Sequence, residues 1–424
     1  GQTREGGVLA TCAHGIPLRS ARGAKPGVGT RWQSGSMSAP LDGILVIDLS
    51  RALAGPQAGQ MLGDMGARVI KVESDTGDDT RGWGPPFVGP DDAHISTYFL
   101  AANRNKESIV LDLKSDDGRD VLTRLAQRAD VLIENFRPGV LDRLGFSTQR
   151  LHELNPRLVV LSISGFGHDG PEGGRAGYDQ IAQGEAGLMS VTGSDPDDPQ
   201  RVGVPIGDLL SGMNGAFGVV TALYERERTG LGRVVRTSLL ASVIGAHAMH
   251  GTNYLVGGKV GRAQGNHHPS IAPYGLFQAS DGPVQVACAA ESLWVKFAEA
   301  FGIDPTTSGF ETNRQRVENR DAVVARVNEA LAGHTSEEVL ATCARAGVPS
   351  GKVRTIDEVY TWDQVASQHL LQKLEHPVLG QITVPGSPLR FDDNPYAGGR
   401  ADNLPPPGLG EHSQAIRTWL ADDE

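Results

Sequence analysis

From Leu41 onward, apolar runs of strand length alternate with segments of helical texture, and this alternation limits the fold more than any other feature. "GILVIDLS" (43–50) reads as a strand; "GPQAGQMLGDMG" (55–66) follows as a helix and "ARVIKVE" (67–73) as a second strand. "SIVLDL" (108–113), "DVLIENF" (130–136) and "RLVVLSIS" (157–164) are further strands. The segment "SDDGRDVLTRLAQRA" (115–129) is a helix opened by Ser115 and two acids, which suit a helix N-terminus. Apolar strands separated by helices make a parallel sheet covered on both faces. The expected fold class is therefore α/β, with a large Rossmann-like domain and a smaller α+β domain.

The stretch "LLSGMNGAFGVVTALYERER" (209–228) predicts a long helix with Gly212, Gly215, Ala216 and Gly218 available for close packing, stopping at Thr229–Gly230. Residues 257–273 turn rich in Gly, His and Pro, a linker texture; 274–359 mix short strands with helices, and the tail is Pro-rich, then helical. The expected division is a large domain from 37–256 and 366–424, with linkers and a small domain in 257–365. Residues 1–36 carry Arg4, Arg19, Arg22, Lys25 and Arg31 against Glu5 as the one acid. They fit an organelle presequence, or a disordered, non-native or upstream extension before Met37 as the natural start; the second reading is preferred.

The formal charge of −11 excludes a general nucleic-acid surface but allows a local basic pocket for an anion. Three scattered cysteines, Cys12, Cys288 and Cys343, argue against a disulfide framework and for a reducing compartment. By sequence no apolar run reaches the length of a membrane span. The expected location is cytoplasmic, or the mitochondrial matrix if residues 1–36 are a genuine presequence.

Gly165, Gly167 and Gly170 follow an apolar strand in the spacing G-x-G-x-x-G. A dinucleotide cradle requires a helix opening at the third glycine, in the first strand–helix unit. Here Pro171, Glu172, Gly173 and Gly174 follow, which is loop chemistry, and the first turn, "SRALAGPQAG", lacks the motif. NAD binding is rejected.

A different family accounts for the pattern. The stretches "LDGILVIDLSRALAGPQAGQMLGDMGARVIKVE", "GDDTRGWGPPF", "NRNKESIVLDLK", "ENFRPGVLDRLG", "RAGYDQIAQGEAGLMSVTG", "VGVPIGDLLSG" and "PPPGLGEH" resemble, in order and spacing, the class III CoA-transferases, the formyl-CoA and carnitine type. Within that family, "DDTRGWGPPFVG" and "NRNKESI" are most similar to the branch handling dicarboxylates such as succinate, glutarate and hydroxymethylglutarate. The resemblance implies acyl-CoA and a carboxylic acid as substrates, no metal, no nucleic acid or membrane as partner, and an interlocked homodimer.

The resemblance also assigns residues. The family's nucleophile is an Asp that lies 29 residues after the acid of the "GYD" motif, here Asp208 after Asp179. A carboxylate suits CoA transfer because it can hold the acyl group as an anhydride and then CoA as a thioester. As an Asp before an apolar helix, Asp208 alone reads as an N-cap; the surrounding motifs favour the nucleophile. Helix-end amides are expected to keep it ionised at neutral pH. Racemases of the same superfamily place His where Tyr178 stands, and Tyr is a poor base at pH 7, so Tyr178 favours transfer over the alternative, α-methylacyl-CoA racemisation or other CoA-ester isomerisation.

For CoA, the resemblance implies Ala54, Leu111, Lys114, Asn135, Phe136, Arg137 and Arg143; Leu53 replaces the family's Gln near the acyl group. Backbone amides of "GRAQGNHHP" (261–269) are expected to form the oxyanion site, with His267 and His268 lining the active-site loop. Arg104 is expected to grip a remote substrate carboxylate, with a structural ion pair as the competing reading, and Arg81 is a second candidate. His247 and His250 share a helix face, but no acid or Cys complement lies nearby in sequence, so no metal is expected.

Overall fold

The computed structural model describes residues 39–91 and 93–422, so the expected presequence or extension, residues 1–36, lies outside the described residues. Six strands form an all-parallel sheet: β1 (Leu45–Asp48), β2 (Arg68–Glu73), β3 (Lys106–Val110), β4 (Val131–Glu134), β5 (Val159–Ser164) and β6 (Val234–Ser238). Their order is β3-β2-β1-β4-β5-β6. The chain winds outward to β3, then returns to lay β4 on the other edge of β1. In such sheets the ligand crevice opens above the carboxyl ends of the strands where the winding reverses, here β1 and β4.

Side chains alternate between two cores. Val46, Val69, Val131, Val159 and Leu161 face one cluster, and Ile47, Ile70, Leu132 and Val160 face the other. Helix α1 (Ala54–Asp64) follows β1, and α2 (Asp116–Arg128) buries Val121, Leu122 and Leu125 against the second face. Ser115 caps α2 by accepting from the Gly118 amide at 3.0 Å. On the first face lie α3 (Asp179–Glu185), the long α4 (Ile206–Thr229) and α5 (Leu239–Gly245). Close approach explains two glycines of α4. A Cβ on Gly212 would stand 2.7 Å from the Ala54 carbonyl, and one on Gly215 would stand 2.9 Å from Leu161. Helix α4 ends at Gly230, in the left-handed region at φ 72°.

Against the sequence reading, α4 is long and apolar enough, at mean hydropathy 1.2, to meet the length and composition of a membrane span. Nearly half of it is buried inside the protein, as in a core helix.

A second, antiparallel sheet joins β7 (Tyr274–Ala279), β8 (Gly282–Ala287) and β9 (Ser350–Lys352), over a separate core of Phe277, Val284, Trp294, Phe297, Val323 and Val327. The hairpin of β10 (Leu371–His376) and β11 (Gly380–Pro385) precedes the tail. That tail then closes the open edge beside β3. The Asn105 amide donates to Leu404 O at 3.0 Å, the His412 amide to Ser108 O at 2.9 Å and the Val110 amide to Ser413 Oγ at 3.1 Å.

Candidate active site

Lys71 and Lys106, fully buried, anchor the turn between β1 and α1. Lys106 Nζ donates to Asp48 Oδ2, the Pro56 carbonyl and Asn103 Oδ1, each at 2.9 Å. Lys71 Nζ bonds the Ser50 carbonyl at 2.9 Å and pairs with Asp78 Oδ2 at 2.8 Å. Burial alone would raise the Asp48 pKa, but Lys106 and Lys71 override it and hold the carboxyl below its usual range. These ties fix the turn from β1 into α1, where Ala52 takes a positive φ of 64°. Asn135, just past β4, clamps the same turn by accepting from the Arg51 amide at 2.8 Å and donating to its carbonyl at 2.7 Å.

Beside this turn lies a cavity of about 350 Å³ lined by Ala54, Asn135, Phe136, Arg137, Tyr178, Asp179 and Asp208. Arg51 and Phe136 also line an adjoining cavity of about 670 Å³, with Leu111 and Lys114. The structure thus brings together nine residues expected from the sequence, strung along one path. Arg143 stands exposed at the end of the short helix Val140–Arg143 and lines neither cavity.

Asp208 is the third residue of α4, not a residue ahead of it, and is half-buried. The first-turn amides expected to serve it go elsewhere. Asp179 Oδ1 accepts from the Gly207 amide at 2.7 Å and the Asp208 amide at 3.3 Å, so Asp179 caps α4 from another helix. Gln183 Nε2, one turn along α3, holds Asp179 Oδ2 at 2.7 Å. The charge state of Asp208 therefore differs from expectation. Burial first, and the Asp179 charge second, push its pKa up to about 7.

Among the residues missed by the sequence reading that line the same cavity are Trp83 and Tyr98, in edge contact with ring centres 5.1 Å apart. Burial, then the charges of Asp208 and Asp179, push the Tyr98 hydroxyl up to about 12, so it stays a proton donor beside the acids. Nothing in the local sequence pairs these rings, which lie 15 residues apart. Tyr178, by contrast, is 67% exposed and stands in extended conformation just before α3, making no side-chain bond to the helix end.

Other expected residues lie elsewhere. Arg104 is buried and held by Asp64, Nε to Oδ1 at 2.8 Å and NH2 to Oδ2 at 2.6 Å, with NH1 on the Pro385 carbonyl at 2.8 Å. It is a structural ion pair and does not reach the cleft lining. Arg81 is similarly spent on Glu73, at 2.8 and 2.7 Å, and lies over the Phe99 ring. His267 and His268 pack on Phe277 and Tyr274 beside β7 and do not line the Asp208 cavity. Within the 261–269 stretch, the amides of Ala263 and Gly265 already donate to Ser190 and Gly193 carbonyls, so they are not free oxyanion donors. His247 bonds the Ala186 carbonyl at 2.6 Å, and among the described residues no three His, Cys, Asp or Glu side chains gather as metal ligands.

With this geometry in place, comparison with known proteins decides the family. A family-wide profile described as CoA-transferase family III matches residues 41–413. The chain belongs to CoA-transferase family III. It is an enzyme of that transferase class, and CoA thioesters are its substrates. Among relatives, it is 36% identical to human succinyl-CoA:glutarate CoA-transferase over 96% of this chain and 94% of that protein. It is 37% identical to a succinate–glutarate CoA-transferase of Agrobacterium fabrum, covering 90% and 96%. A CAIB/BAIF family protein from Brucella suis, solved by crystallography, superposes with a TM-score of 0.80 at 39% identity, covering 91% of this chain and all of that one.

Proposed function

We propose that this chain transfers CoA from an acyl-CoA to a free dicarboxylate of the succinate–glutarate class, with Asp208 as the carrier. The observation that carries the reading is the path itself. A half-buried carboxylate stands at one end, and a second cavity with Lys114 at its rim continues past Phe136 at the other. An acyl-CoA has the matching form, a thioester at the tip of a long arm that ends in phosphates. Leu111, Lys114, Asn135, Phe136 and Arg137 would hold that arm.

In the first step Asp208 attacks the thioester carbonyl, forming an aspartyl–acyl anhydride and releasing CoA thiolate. The thiolate then attacks the aspartyl carbonyl, which gives aspartyl-CoA and frees the donor acid. The acceptor carboxylate attacks that thioester, forming a second anhydride and releasing the thiolate again. The thiolate finally takes the acceptor acyl group and regenerates the Asp208 carboxylate. No water enters, so the thioester energy is conserved. Each tetrahedral intermediate needs a nearby donor. Tyr98, kept protonated at the cleft, is a candidate.

Against the isomerase alternative stands Tyr178, an exposed phenol where the resemblance to racemases would place a histidine as second base. Incubation with succinyl-CoA and labelled glutarate is expected to yield labelled glutaryl-CoA and free succinate in equal amounts. Loss of an α-proton from 2-methylacyl-CoA without acyl exchange would replace this reading with the isomerase one.

A further inference from the structure

We propose that Arg201 grips the remote carboxylate of a dicarboxylate acyl group held at Asp208 and so sets the preference for dicarboxylates. The inference rests on the transfer reading above and takes the place the sequence had given to Arg104.

Four arginines line the Asp208 cavity: Arg51, Arg137, Arg175 and Arg201. Arg175 is neutralised by Glu185 at 2.6 Å and Glu172 at 3.3 Å, and stacks over Phe166. Arg51 lies 3.6 Å from Asp79 and lines both cavities, which puts it on the CoA arm's path. Arg137 lines the Asp208 cavity only, and the family resemblance gives it to CoA. Arg201 remains. Its NH1 donates to the carbonyls of Val202 at 3.0 Å and Gly203 at 2.9 Å, and no carboxylate pairs with it among the described residues. One side of the guanidinium is thereby anchored, and its remaining N–H groups are left for an anion.

Its backbone segment is also fixed relative to the nucleophile. The Val202 amide donates to Gln183 Oε1 at 2.8 Å, Gln183 donates to Asp179 at 2.7 Å, and Asp179 accepts from the Gly207 and Asp208 amides. Gln183 is fully buried and Asp179 is 9% exposed, so this relay is shielded from water. Electrostatics supply the need for a cation. The cleft already holds Asp79, Asp179 and Asp208, and a second substrate carboxylate adds like charge unless a partner meets it. A guanidinium meets a carboxylate with two parallel bonds.

The test compares native chain, Arg201→Gln and Arg201→Lys with succinyl-CoA and butyryl-CoA as donors, which differ in a carboxylate against a methyl. The readout is the ratio of the two kcat/KM values. In Arg201→Gln this ratio is expected to fall roughly 10- to 100-fold, with Arg201→Lys in between. A purely structural Arg201, holding the 201–203 turn, would slow both donors in parallel; an unchanged ratio overturns the inference and leaves dicarboxylate transfer standing. A native ratio near one would instead overturn the dicarboxylate reading, and this inference with it.

Discussion

The two roles that the sequence reading weighed for Asp208, helix cap and nucleophile, fall to different residues in this account. Asp179 caps α4 and is held by Gln183; Asp208 is left with burial and a like charge, and its pKa rises to about 7. A protonated carboxyl does not attack a thioester, so kcat/KM should fall about tenfold per pH unit below pH 7. Asp179→Asn retains an acceptor oxygen for the cap but removes the charge. It should move that acid limb to lower pH while burial keeps it above the usual Asp range. Steady-state rates against pH check both; a limb near pH 4 in the native chain would contradict this account. The residue scale is also where sequence reading was least able to see. Arg104 finds Asp64 from 40 positions away, and the Asp179 cap comes from 28 and 29 positions away. Neither partner has a local signature. The "GYD" and "PIGD" motifs were legible because the family that the chain resembles carries both at this spacing, whereas the direction of the Asp208 pKa depends on burial, which a motif does not encode.

At the scale of elements, the alternation of apolar strands and helices made the parallel sheet legible, and Ser115 and Gly230 mark helix ends where the sequence put them. The network behind the turn was not legible: Lys71 lies inside an expected strand and Lys106 just ahead of one, and their partners are far away in sequence. Two fully buried lysines survive there only because each meets carboxylate and carbonyl oxygens. Lys106→Met leaves Asp48 buried with its nearest counter-charge gone and should cost about 3–5 kcal/mol of stability. Adding Asp48→Asn should recover much of that loss. Unfolding in guanidinium chloride measures both, and a loss under about 1 kcal/mol in the single variant would show that the network is not needed to hold the turn.

At the scale of the whole molecule, α4 has a dual character. Gly212 and Gly215 are pressed against α1 and the sheet, while Met213, Phe217, Val220 and Tyr224, spaced by four, three and four, line the opposite face in solvent. Phe217 is 76% exposed and Tyr224 69%. We propose that a second copy of the chain covers this stripe, giving the homodimer that the family resemblance implies. Sedimentation should then report twice the chain mass, and Phe217→Glu should shift it toward the monomer; a native monomer at micromolar concentration would remove the proposal.

The central claim is that one side-chain carboxylate carries first the acyl group and then CoA. The most direct measurement is to quench the enzyme during turnover with succinyl-CoA, treat it with hydroxylamine, and sequence the peptides by mass spectrometry. The expected result is a hydroxamate on Asp208, with no modification and no exchange in Asp208→Ala. A hydroxamate on another residue, or undiminished exchange in Asp208→Ala, would contradict the account.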